Sequence, residues 1–265
     1  MNKYLKFENL TDFWSKAFSE STAYRKSSRD DSFFNLDWYG NSTWSQAKQI
    51  AQQGWLEALP EIEKYRIVLN EMIADKLVSY LPVYAFQGRV IEMGNYLAND
   101  PEHFIIRDYN EQVNEGKIIT LVCSVSFSAA ICSETIIQRG AMICALVDAL
   151  EYSGYRVELI CNHNSKSGSY SFEVDVVVKK ANQGLQMAEI VFCLAHPAML
   201  RRMMFSVAEQ EGWSDLVSNY GYPFTATEKG SLCINEIFSS VVPDKEAVDW
   251  VLKTLSQQGI VVKKV

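Results

Sequence analysis

Lys117–Phe127 reads KIITLVCSVSF, Ser133–Ser153 reads SETIIQRGAMICALVDALEYS, and Arg156–Asn162 reads RVELICN. The first stretch alternates and is rich in Ile, Val and Thr, the residues that fit a pleated, half-buried surface. The second carries Ile137, Met142, Ala145, Leu146 and Ala149 at helical spacing, between Ser133 as a cap and Gly154 as a stop. The third is again a strand. A strand, a helix and a second strand joined by short connections make a parallel pair with a crossover. Tyr170–Lys179 follows as a further strand after the turn Asn164–Ser169. That hairpin adds an antiparallel neighbour. The predicted fold is therefore α/β, with a mixed, mostly parallel sheet flanked by helices.

Outward from this core the patterns are simpler. Leu185–Ala195 and Pro197–Gln210 predict two successive helices, because Pro197 suits a first helical turn and interrupts a continuous one. Leu232–Phe238 reads as a strand, Asp244–Gln257 as a capped helix and Ile260–Lys264 as a closing strand. Toward the N-terminus, Leu10–Glu20, a helix capped within Asn41–Thr43 and ended by Gly54, and a longer helix from Pro60 to Tyr80 are predicted, with a short strand at Val90–Met93. Residues 1–115 are thus expected as a mostly helical region packed on an α/β core at 116–265, the two forming one unit.

Composition narrows the function. With 48% hydrophobic and 22% charged residues over 265 positions, and only 13 Gly and 6 Pro, the chain can bury a sizeable core. No window has the ~18 apolar residues of a membrane span, and no signal-peptide pattern opens the chain. A cytoplasmic protein without a membrane partner is expected. The six cysteines lack paired spacing and sit mostly in apolar segments, as free buried thiols do. His103, His163 and His196 are isolated from ligand or triad spacing, and no glycine-rich phosphate loop is present. No catalytic set, metal site or cofactor is expected.

Ser124, Ser126 and Ser128 follow the first core strand at alternate positions. This resembles the metal-ion loop of von Willebrand A-type domains, and so does the order strand, helix, strand, hairpin. Ser124 stands where that loop has its leading aspartate, which removes the charged oxygen a hard cation most needs. The expectation is a degenerate von Willebrand A-like core whose serines cap the helix or satisfy the turn.

A net charge of −7 gives no long-range attraction to a polyanion, so nucleic-acid binding needs a local basic patch with rings. Arg25, Lys26 and Arg29 followed by Phe34, Trp38 and Tyr39 supply one candidate, Arg201 and Arg202 a second, and Lys179 and Lys180 a third. Cations beside flat rings suit a single strand. The alternative reading of each is structural: rings that anchor a loop, an internal ion pair, or charges that guard a strand end.

Several strings in order, Thr43–Ala47 with Gly54–Trp55, Met93–Leu97 with Pro101–Glu102, Ser133–Thr135 through Arg139–Ala141, and His196–Arg202, resemble a family of bacteriophage proteins. Length and composition are similar to the Drc-type cofactors of podophages that carry a giant virion RNA polymerase. The resemblance implies single-stranded DNA and a phage RNA polymerase as partners, in middle-gene transcription, and by analogy a homo-oligomer. The competing expectation is a non-catalytic phage structural or protein-interaction module.

Overall fold

The computed structural model describes residues 2–24, 26–32, 35–60, 62–63, 67–68, 71, 83–86, 90–91, 93–106, 118–152, 155–184, 186–224, 230, 232–235 and 240–257. The deciding segments form β5 (Ile118–Ser124), α4 (Ser133–Tyr152), β6 (Arg156–Ser167) and β7 (Tyr170–Lys179). β5 and β6 pair in parallel from Ile118↔Arg156 to Ser124↔Asn162. β6 and β7 pair antiparallel, with one irregularity beside Leu159. The mixed, mostly parallel sheet read from the sequence is what the chain forms.

Two strands complete this sheet, in the order β1-β7-β6-β5-β8. β8 (Leu232–Ile234) lies parallel to β5, inside the predicted Leu232–Phe238 strand. β1 (Asn2–Phe7), which the sequence reading leaves unassigned, lies parallel to β7 in unbroken register from Asn2↔Ser171 to Phe7↔Val176. The predicted hairpin turn at 164–169 is shorter than expected, because β6 continues to Ser167 and Gly168, at φ +58°, turns the chain. Its polar residues look like a loop, but Asn164, Ser165, Lys166 and Ser167 each have a cross-strand partner.

The N-terminal region carries the two expected helices, α1 (Leu10–Phe18) and α2 (Trp44–Gln53). Asn9 caps α1 through Asp12 N–H, and Thr43 and Gln46 form a reciprocal capping box on α2. It also holds a three-stranded sheet of β2 (Val83–Ala85), β3 (Val90–Ile91) and β4 (Phe104–Ile106), in the order β2-β4-β3, and the short helix α3 (Met93–Leu97). Most of the predicted Pro60–Tyr80 helix, and all of the Ile260–Lys264 strand, lie outside the described residues.

α5 (Met187–Ala195) and the next helical stretch are bent apart by 71°. Pro197 has no N–H to continue the helix, and the following amide, Ala198 N–H, donates instead to His196 Nδ1 at 3.0 Å. The chain resumes as a wide π-helical turn, Met199–Met204, then α6 (Phe205–Gln210) and α7 (Trp213–Leu216). α8 (Asp244–Gln257) closes over α4. No single helix among the described residues is long and apolar enough to cross a membrane.

The apolar residues of α4, α5 and α8 pack on β5 and β6 in one cluster, and those of α1, α2, the π-turn and α6 on β6 and β7 in another. Where α4 crosses α5, a Cβ built on Gly140 would lie 2.3 Å from Ala195 Cβ. Gly140→Ala is therefore expected to destabilise by about 1–3 kcal/mol through overpacking, more than the ~1 kcal/mol of helix propensity it gains. Urea unfolding of the two proteins measures the difference. None of the six cysteines forms a disulfide, and burial pushes the Cys123 thiol up to about 12.

Candidate nucleic-acid interface

The basic and aromatic residues picked from the sequence divide sharply. Arg202 is 0% exposed, and its guanidinium donates to Ser28 O at 2.8 Å, Ser42 O at 2.8 and 3.1 Å and Asp31 Oδ1 at 2.7 Å, lying 3.8 Å over the Tyr39 ring. Arg201, also buried, donates to Trp38 O at 2.7 Å and to Ile131 O at 3.1 Å, with its plane 4.6 Å over Trp38. Burial pulls its pKa down to about 10. Tyr39 is buried and its hydroxyl donates to Ser27 O. Burial, first among the causes, pushes that hydroxyl up to about 12.

The remaining expected contacts are similarly engaged. Arg29, half-buried, donates to Ala17 O, Ser19 O and Ser206 Oγ beside the Trp44 ring. Lys179 is buried against Glu151 Oε1 at 2.6 Å and Val157 O at 2.9 Å. So Tyr39, Lys179, Arg201 and Arg202 are interior residues, a correction to the reading of them as ligand contacts. Trp38 is half-buried under Arg201, while Lys26 and Lys180 are exposed. Arg25 and Phe34 lie outside the described residues.

The physical reason is backbone bookkeeping. The described residues between 24 and 43 form only one short helical turn, at Leu36–Tyr39, so buried carbonyls there need donors from elsewhere. A guanidinium supplies five in a fixed fork. Glu209, 1% exposed, completes the clamp from the acceptor side, taking Ser27 N–H and Ser28 N–H at 2.9 Å each and Ser28 Oγ–H at 2.7 Å. Charge alone in a sequence does not say whether an arginine meets solvent or a loop's carbonyls.

A different surface emerges from the sheet. Cross-strand partners point to the same face, so the registers lay out three rows on the side away from the α4 and α6 packing. Asn2, Ser171, Lys166 and Tyr222 form the first, with Lys166 and Tyr222 exchanging backbone bonds at 2.9 Å. Tyr4, Glu173, Asn164 and then Phe224, whose N–H donates to Asn164 Oδ1 at 3.0 Å, form the second. Lys6, Asp175, Asn162 and Ser124 form the third.

One corner of this face is buried and held by a chain of amides: Asn164 Nδ2 donates to Asn162 Oδ1, and Asn162 Nδ2 to Asp175 Oδ1 at 2.6 Å and Glu173 Oε1 at 3.0 Å. The margin is exposed, with Asn2, Tyr4, Lys6, Lys166 and Tyr222 open to solvent. Tyr4 donates its hydroxyl to Asp175 Oδ2 at 2.7 Å, one row along, so its ring lies across the sheet while the residue stays 52% exposed. Burial and the Asp175 carboxylate both raise the pKa of that phenol. Tyr222 is 74% exposed, and the Lys166 ammonium sits 5.8 Å over the neighbouring Phe224 ring. The signal was present as polar residues at every second position of 2–6, 162–166 and 171–175, but only the register joins them.

The serine turn proves to be wired into the same strands. Ser124 Oγ accepts Ser126 N–H, and Ser126 Oγ accepts Asn164 N–H at 2.7 Å and lies 3.1 Å from His163 Nδ1. Ser128 Oγ accepts Ala130 N–H, and Ser133 Oγ donates to Asp37 O. These contacts are those of a satisfied turn. No curated protein and no solved structure matches the chain. Residues 2–261 match the family described as Domain of unknown function (DUF7192).

Proposed function

The chain belongs to the DUF7192 family, and from that premise we propose that it is a non-catalytic single-stranded DNA-binding protein whose contact surface is the exposed margin of the sheet. The observation that carries this reading is Tyr4, laid across the strands and half exposed, in a face that also presents Tyr222, Lys6 and Lys166. A flat ring on a sheet accepts any base by stacking, and a lysine beside it meets the phosphate. The chain's −7 charge puts the affinity in stacking, with two lysines contributing a salt slope of only about −1.4. The role of cofactor to a phage RNA polymerase in middle-gene transcription is part of the proposal and rests on the resemblance of the strings quoted above.

The test is fluorescence anisotropy with single-stranded and duplex oligonucleotides of equal length across a salt series. Preferential single-strand binding is expected, with Tyr4→Ala weakening it roughly tenfold and Tyr4→Phe close to wild type, since the ring carries the ~1–3 kcal/mol per stacked base. Equal binding of both variants, or no binding at low salt, overturns the reading.

A second reading is favoured by a separate observation. The order β7-β6-β5-β8 around one crossover helix, with a serine turn leaving β5, is consistent with a degenerate von Willebrand A-like core serving as a protein-interaction module. In that case the margin residues meet a protein and the oligonucleotides are ignored.

A further inference from the structure

We propose that β1 is a self-pairing edge, through which two copies join antiparallel to make one continuous ten-stranded sheet. Among the described residues β1 is the terminal strand of the five-stranded sheet, and no strand among them pairs with its outer side. Such edges are normally guarded by Pro, a bulge, short length or an inward charge. β1 has six residues, Asn-Lys-Tyr-Leu-Lys-Phe, without Pro or Gly, and its register with β7 is unbroken. Its inward lysine, Lys3, is neutralised within the same chain by Glu211, which also takes Lys16 at 2.6 Å. The guard is therefore disarmed.

The sequence of the strand selects the partner. In an antiparallel pair of identical strands, opposed residues share a face only when both numbers are even or both odd. Centring the two-fold axis on Tyr4 opposes Tyr4 to Tyr4, Asn2 to Lys6 and Lys3 to Leu5. No like charges meet, and an aromatic pair sits at the centre, an arrangement that stabilises cross-strand neighbours. Centring one residue later, on Leu5, also opposes five residues, 3 to 7, but it sets Leu5 against Leu5 and Tyr4 against Lys6, without the aromatic pair. The Tyr4-centred register is the one the side chains favour.

Five opposed residues per strand bury much less than the ~1,200–2,000 Å² of a stable interface, so the dimer forms with rising concentration. It joins the two exposed margins across the two-fold axis, doubling the length of the surface described above, though the pairing itself does not depend on what that surface binds.

The experiment is register-specific crosslinking in a Cys132→Ser background, since Cys132 is the exposed native thiol. Opposed Cα atoms in an antiparallel pair stand ~4.5–5.5 Å apart, within disulfide reach. Tyr4→Cys should dimerise by itself on mild oxidation, Lys6→Cys should not, and Asn2→Cys mixed with Lys6→Cys should give the heterodimer. Sedimentation velocity of the unmodified protein should show a monomer moving to dimer with concentration. A concentration-independent monomer, or Lys6→Cys crosslinking to itself as readily as Tyr4→Cys, overturns the proposal. Neither readout involves DNA, so failure here is distinct from failure of the DNA-binding reading.

Discussion

Between neutral pH and about pH 5 the protein is expected to lose about 4 kcal/mol of stability, from two histidines that the fold keeps neutral. His163 and His196 are both buried, and burial lowers each from 6.5 to about 3. His163 faces the Phe172 and Phe205 rings and the Ser126 hydroxyl, with Nε2 lacking a hydrogen-bond partner. His196 faces Trp55 and Phe192, uses Nδ1 to accept Ala198 N–H, and has the Arg202 charge as a further reason to stay neutral. Because the unfolded chain binds protons that the folded chain refuses, the stability is complete above 6.5 and is lost as pH falls toward 3. Each residue accounts for about 2 kcal/mol at about pH 5. Urea unfolding at the two pH values measures the sum, and in His163→Gln the pH-dependent part should halve whatever the variant's absolute stability. An unchanged midpoint from neutral to acid would show that these rings are not held neutral.

Arg202→Met should cost about 2–5 kcal/mol, because it orphans two buried carbonyls at about 1–3 kcal/mol each while the Asp31 carboxylate can turn to solvent, and lower Tm by roughly 10 °C. The variant fills the space but leaves Ser28 O and Ser42 O without their donor and Asp31 without its cation. Arg202→Lys should recover only part, since one ammonium cannot reproduce a fork that reaches three acceptors. Thermal unfolding reports the loss, and hydrogen exchange should show faster opening in residues 27–43 than in β5–β7. Single-strand affinity per folded molecule should be unchanged, because this arginine never meets solvent. A large affinity loss with unchanged Tm would return Arg202 to the contact surface.

Thr43, Gly54, the β5–α4–β6 crossover and the β6–β7 hairpin were readable because caps, stops and period-2 or period-3.6 apolar spacing are local properties. β1 was not, because its Lys3 and Lys6 make a strand look like an exposed tail until Glu211 and the β7 register are known. The π-turn was read as plain helix, because nothing in Met199–Met204 announces a wider turn. Arg201, Arg202, Lys179 and Tyr39 were misplaced for a related reason: their partners are mainly backbone carbonyls far along the chain, and carbonyls have no signature in a sequence.

Side-chain spacing within a few residues suffices for the α/β class, the mixed sheet at its centre and most helix ends. Which polar residues face solvent is a matter of long-range contacts. That depends on strand register and on which distant loop requires donors, and both are set by contacts between segments more than a hundred residues apart, as Tyr4 with Asp175 and Arg202 with Ser28 are.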